Sequence, residues 1–221
     1  MQDNRLINDN LDITRPSVEI NKVLKNTYML LGMTLLFSAV TAGLSMAAGL
    51  SHMMGLGMMI GAFVCLFIVN KTADSSKGLM WIFVFAGLMG ASLGPMLSYY
   101  LQLPNGPALI AQALGGTALI FFALSGYALV SRKDFSFMGG FLFVGLIVAV
   151  VAGIANIFMG IPALSLAISA GIILIMSGLI LFDTSRIIHG GETNYIRATI
   201  SLYLNIYNIF VNLLALLGIA G

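Results

Sequence analysis

The sequence predicts an all-α membrane protein with seven transmembrane helices. Three observations carry that expectation. Of 221 residues, 59% are hydrophobic and only 8% are charged, against about 25% in an ordinary soluble domain. Mean hydropathy is +1.02. The apolar residues also fall into runs long enough to cross a bilayer, which takes about 20 residues per helix. So few charges cannot coat a water-facing surface, which excludes a soluble protein with an oversized core. A lipid solvent needs no such coat.

Seven runs qualify, at about residues 28–50, 53–70, 79–101, 107–130, 137–158, 162–182 and 199–220. Residues 1–27 ahead of them are polar, carry both charge signs and read as a flexible cytoplasmic tail; residues 28–221 form the membrane domain. Without an early apolar core the start does not read as a signal peptide. Ala47-Ala48-Gly49 resembles a cleavage site, but another apolar run comes at once, so the first span reads as an uncleaved anchor. The second run, rich in Gly and Met, is short. The breaks carry turn or charge signals: Lys71 to Lys77, Pro104-Asn105-Gly106-Pro107, Ser131-Arg132-Lys133-Asp134, Gly160 with Pro162, and Asp183 to Ala198.

Charge placement orients the chain. Arg5, Arg15, Lys22 and Lys25 lie in the tail; Lys71 and Lys77, Arg132 and Lys133, and Arg186 and Arg197 come after spans two, four and six. Those are all ten basic residues, and the other breaks hold none. The positive-inside rule therefore puts the N-terminus in the cytoplasm and the C-terminus outside. Six spans with a re-entrant last segment is the competing topology. The basic residues serve as topology signals, so the net charge of +2 does not indicate a nucleic-acid partner.

Small residues let helices approach in lipid. Gly57/Gly61 and Gly90/Gly94 have GxxxG spacing, although 25 glycines also produce such pairs by chance. Gly94-Pro95 is expected to bend the third span. Polar residues within spans are costly and so informative. Asp183 is the acidic residue at a span edge. It reads either as a gate or ion-pathway residue, or as a helix-end residue paired with Arg186 three positions on. In the last span, Ser201, Asn205, Asn208 and Asn212 share one helical face, with Tyr203 and Tyr207 beside it. That face should point into the bundle or a cavity, as interhelical glue or as a conduction path. Asn156, Gln112, Thr117, Ser92, Ser98 and Ser125 are scattered.

The enzyme classes find no support. His52 and His189 lie in breaks on opposite sides of the membrane, so neither a Ser–His dyad nor a His-rich metal site forms inside it. Ser125-Gly126 lacks the first glycine of a nucleophile elbow, His189-Gly190-Gly191-Glu192 is not a zinc-protease motif, and there is no P-loop. No catalytic residue, metal site or cofactor is expected. The single cysteine, Cys65, allows no disulfide within the chain.

Four segments resemble the Bax-inhibitor (TMBIM) family in its bacterial YccA-type branch. They are Lys22 to Tyr28, Ala113 to Leu119, Ser131 to Phe137 and, most specifically, Ser185 to Ala198 with its HGGETNYIRA run. The likeness extends from about residue 20 to the end. It implies a seven-helix fold with the last helix surrounded by the other six. It also implies a bacterial inner-membrane protein that binds the FtsH ATP-dependent protease and restrains degradation of membrane proteins such as SecY. Other family members resemble pH-sensitive calcium leak channels, with two aspartates on the last two spans. Asp183 matches the first and Asn205 stands at the second. An amide does not titrate, so a carboxyl pair sharing a proton cannot form here. A purely structural membrane subunit or assembly factor is the third reading.

Overall fold

The computed structural model describes the backbone of residues 3–220 and the side chains of residues 18–219. Seven α-helices succeed one another: α1 (Asp3–Ala47), α2 (His52–Thr72), α3 (Ser76–Leu101), α4 (Gly106–Ser131), α5 (Gly139–Met159), α6 (Pro162–Ile188) and α7 (Tyr195–Ala220). A 3-10 turn, Ser136–Met138, precedes α5. Among the described residues there is no strand. All seven helices are long and apolar enough to cross a membrane. The last is one unbroken helix, which removes the re-entrant alternative.

The helices outrun the hydropathy runs mainly at one end of the bundle. Helix α1 starts at Asp3, α6 continues to Ile188 and α7 starts at Tyr195. The backbone of residues 3–27, expected in the tail, is therefore helical; Thr27 is fully buried, and Val23 and Leu24 pack on the core. The side chains of residues 1–17 lie outside the described residues. Hydropathy marks where lipid begins, whereas backbone hydrogen bonding carries a helix beyond it.

Local chemistry ends the helices where the sequence changes. Gly160 adopts φ +62° after α5, and its N–H closes on the Asn156 carbonyl at 2.8 Å. Pro162 then starts α6, where its missing N–H costs nothing. After α6, Gly190 takes φ +74°. The Gly191 N–H bonds the Arg186 carbonyl at 2.8 Å and the Gly190 N–H bonds that of Ile187 at 3.2 Å, a Schellman closure.

Helix α7 is central. It touches α1, α2, α3, α4 and α6. This corrects the expectation of six surrounding helices: among the described residues, the backbone of α5 comes close to α6 and to no other of the seven helices. The reason is chemical. α5 is apolar on nearly every face, so lipid is as good a neighbour as protein, and only Leu142 and Ala149 are buried. It leans on α6 where Gly178 leaves room for Leu142 and Gly139 for Phe182.

Helices α1 and α3 cross closely. A Cβ at Gly90 would run into the Ser38 backbone, and one at Gly94 into the Ser45 side chain. Gly57 has open space instead, and Gly61 meets only a Leu88 methyl at 3.6 Å. Only the second GxxxG pair is thus a backbone contact. The same approach supplies polar bonds. Pro95 has no N–H, so the Ala91 carbonyl lacks its helical donor; Ser45 Oγ donates to it at 2.7 Å. Ser38 Oγ donates to the Ala86 carbonyl at 2.6 Å and accepts the Tyr203 hydroxyl at 2.6 Å. That ties α1, α3 and α7 at one point. Tyr203 is among the largest fully buried side chains, edge-on to Phe85 with ring centres 5.3 Å apart.

Candidate functional site

The polar groups of the bundle gather at the end that holds the basic residues. The contacts place four chain segments there: the start of the first span, and the breaks α2–α3, α4–α5 and α6–α7. Thr199 Oγ1 reaches the Thr27 carbonyl, Asn194 reaches Asp74, and Ser185 reaches the 133–135 turn.

At its centre is Asp183 on α6, 7% exposed. One carboxylate oxygen, Oδ2, accepts from Ser201 Oγ at 2.6 Å and from Asn205 Nδ2 at 2.7 Å. Ser201 and Asn205 lie one turn apart on α7, so their donors converge from a single face. The carboxylate thus clamps α6 to the central helix. Arg186 is not its partner. Its guanidinium donates to the Gly191 carbonyl at 3.2 Å, lies 3.8 Å from Glu192 and covers the Phe182 ring. Three positions along a helix surface do not bring Arg186 to Asp183, because the carboxylate turns inward and the guanidinium outward.

Asn208 and Asn212 stand apart from this cluster. Each amide bonds back along its own helix, to the Leu204 carbonyl at 2.9 Å and the Asn208 carbonyl at 2.8 Å. The sequence stripe therefore divides, with two residues on Asp183 and two satisfied within α7. Tyr28 and Thr184, which the sequence did not single out, and Ser125, one of its scattered polar residues, also belong to the polar layer. The Tyr28 hydroxyl bonds Ser125 Oγ and lies 3.5 Å from Thr184 Oγ1, joining α1, α4 and α6. A hollow of about 500 Å³ lies one turn beyond Asp183, between α1 and the α6–α7 loop, with Glu19, Lys22, His189 and Glu192 on its walls. Among the described residues no three His, Cys, Asp or Glu side chains gather into a metal-binding group.

The loop itself is a latch. Asn194 caps α7, its Oδ1 accepting the N–H groups of Ile196 at 2.9 Å and Arg197 at 3.2 Å. Its amide nitrogen donates to the Ala73 carbonyl at 3.0 Å and to Asp74 at 2.8 Å. Arg197 pairs with the other Asp74 oxygen at 2.7 Å, in an exposed position. The HGGETNYIRA run therefore stops α6, starts α7 and anchors both to the α2–α3 turn. Asn194→Ala should lower stability by about 1–2 kcal/mol through the lost cap. Arg197→Ala, which breaks an exposed pair, should cost less than about 1 kcal/mol. Thermal unfolding in detergent compares the two.

In the α4–α5 turn, Asp134 Oδ1 accepts the Ser136 N–H at 2.8 Å. Hydrogen bonds from Ser136, helped by His189, hold this carboxyl below the usual carboxylate range. Its contribution to the turn is complete above the ordinary carboxylate pKa and is lost as pH falls through the lowered one.

Comparison with known proteins places this arrangement. The family model described as "Inhibitor of apoptosis-promoting Bax1" matches residues 20–221. A Vibrio cholerae protein named as a membrane protein is 56% identical over 204 residues, 92% of each chain. An Escherichia coli K12 protein named "Modulator of FtsH protease YccA" is 50% identical over 201 residues, 91% of each chain. Its counterpart in E. coli O6:H1, equally similar, is named "Inner membrane protein YccA".

Proposed function

The chain belongs to the Bax-inhibitor family, and from that membership we propose that it is an inner-membrane modulator of the FtsH protease. The observation that carries this reading is the 50% identity, over nearly the whole of both chains, to a protein named for that role. In this reading the basic end faces the cytoplasm, the N-terminus lies there, and the C-terminus is periplasmic.

The physical account has two parts. Residues 1–20, polar and ahead of the first apolar run, offer the protease a handle. The bundle then resists extraction. Pulling on α1 works against Ser38 and Ser45 bonded to α3, Tyr203 bonded to Ser38, and α7 clamped by Asp183. The protease is occupied without rapid turnover, and other membrane substrates such as SecY are spared. The full chain should co-purify with the FtsH complex in mild detergent, and a chain lacking residues 1–20 should lose most of that association. Unchanged association of the shortened chain would discard the handle; no association of the full chain would discard the proposal.

One observation favours a second reading, an ion leak with an altered gate: a buried carboxylate on α6 faces Asn205 on α7. With an amide in place of a second carboxylate, no carboxyl pair shares a proton, and Asn205 instead donates a hydrogen bond to Asp183. Calcium flux into proteoliposomes separates the readings. The modulator reading expects no flux from this chain and a gain with Asn205→Asp; pH-dependent flux from the unaltered chain would favour the leak.

A further inference from the structure

Helix α4 turns one row, Leu109, Ala113, Thr117 and Phe121, into the bundle. On its opposite side Ala108, Gln112, Gly115, Leu119 and Ala123 form a second row, and all five are exposed. That row faces lipid, and Gln112 is out of place on it. Within the apolar runs, the amides of Asn70, Asn156, Asn205, Asn208 and Asn212 each donate a hydrogen bond inside the protein. Among the described residues, Gln112 makes no hydrogen bond and no neighbour covers it.

Depth sharpens the mismatch. α4 has 26 residues, about 39 Å at 1.5 Å per residue, whereas the hydrocarbon core is about 30 Å thick. Gln112 lies about 9 Å along the helix from Gly106, and so about 5 Å inside the hydrocarbon when the helix is centred on it. Its carboxamide carries two N–H donors and an acceptor oxygen, and lipid tails satisfy none of them. The rest of the row leaves room for another helix. A Cβ at Gly115 would meet nothing within 4 Å, and Ala108 and Ala123 are small, so a second backbone can come close. The exposed row of α1, Leu36, Val40 and Leu44, is by contrast bulky and wholly apolar, and lipid satisfies it.

We infer that the outer row of α4 is the interface of a homodimer, in which Gln112 of one copy pairs with Gln112 of the other. The carboxamide is self-complementary: each side chain donates an Nε2–H to the other's Oε1. A helix of another protein would have to bring a polar residue to the same depth on an equally thin face. A second copy does so by symmetry, because a two-fold axis along the membrane normal sets equal residues at equal depth. Both copies then keep the orientation that their basic ends require. The row lies opposite the buried side of α4, so pairing leaves the bundle and its Asp183 clamp as they are.

The test uses the full chain in liposomes. Fluorophore-labelled unaltered chain, diluted in lipid, should bleach in two steps, and Gln112→Leu should weaken the association about tenfold. Gly115→Leu puts its side chain into space that is open within one copy, so it should fold and yet separate the pair. Disulfide trapping locates the contact. In a Cys65→Ala background, which removes the only native thiol, Ala108→Cys and Gly115→Cys should oxidise to a species of twice the mass. Leu36→Cys on α1 and Ile147→Cys on α5, both exposed elsewhere, should not. One-step bleaching of the unaltered chain at every density overturns the proposal. So does pairing that Gln112→Leu leaves unchanged, or trapping at Leu36 or Ile147 as strong as at Ala108. A crosslink from position 108 to a different polypeptide in native membranes overturns it as well.

Discussion

Asp183→Ala is expected to destabilise the bundle by about 2–4 kcal/mol, because Ser201 and Asn205 are left with buried donors facing a void. Both donors converge on one carboxylate oxygen, at 2.6 and 2.7 Å, so a single truncation strips both bonds. Asp183→Asn keeps an acceptor oxygen of the same shape and should cost less than half as much. Unfolding in detergent with increasing SDS measures both. In cells the alanine variant should also be degraded faster by FtsH, since α6 no longer holds α7. Equal stability of Asp183→Ala and the unaltered chain would show that the clamp does not anchor the central helix.

Gly90→Val should be as damaging for a different reason. The new Cβ would overlap the Ser38 carbonyl, a backbone group that cannot swing aside. Separating α1 from α3 also stretches the Ser38–Ala86, Ser38–Tyr203 and Ser45–Ala91 bonds. Overpacking of this kind costs about 3 kcal/mol, or roughly 10 °C in thermal midpoint. Gly57→Val, whose Cβ enters open space, serves as the control and should shift the midpoint by only a degree or two.

These two sites also show what can be read from a membrane sequence. The seven spans were legible because lipid imposes length and apolarity on every crossing helix. The common end of the basic residues was legible because charge stays at the interface. Helix ends were not, since Ile188 and Tyr195 extend α6 and α7 into polar sequence where hydropathy is silent. The two GxxxG pairs looked alike in sequence, yet only Gly90/Gly94 faces a neighbouring backbone; the difference lies in the tertiary approach of α1.

The candidate site was half legible. Asp183, Ser201 and Asn205 stood out because polar groups in lipid demand partners. The partner suggested by local spacing, Arg186, was the wrong one, because a contact between helices competes with the i, i+3 pair and here satisfies the carboxylate. Tyr28 with Ser125 left no trace, being separated by 97 residues and of types common in any span. Asp74, which receives both Asn194 and Arg197, was likewise invisible: an exposed turn aspartate does not announce the loop that docks on it.

The most direct test of the modulator role is SecY turnover by FtsH in proteoliposomes, with this full chain added in increasing amounts. SecY loss should slow as the chain is added while the chain itself persists, and Asp183→Ala should protect less because it is consumed. SecY loss at an unchanged rate, with the chain present and correctly folded, would contradict the account.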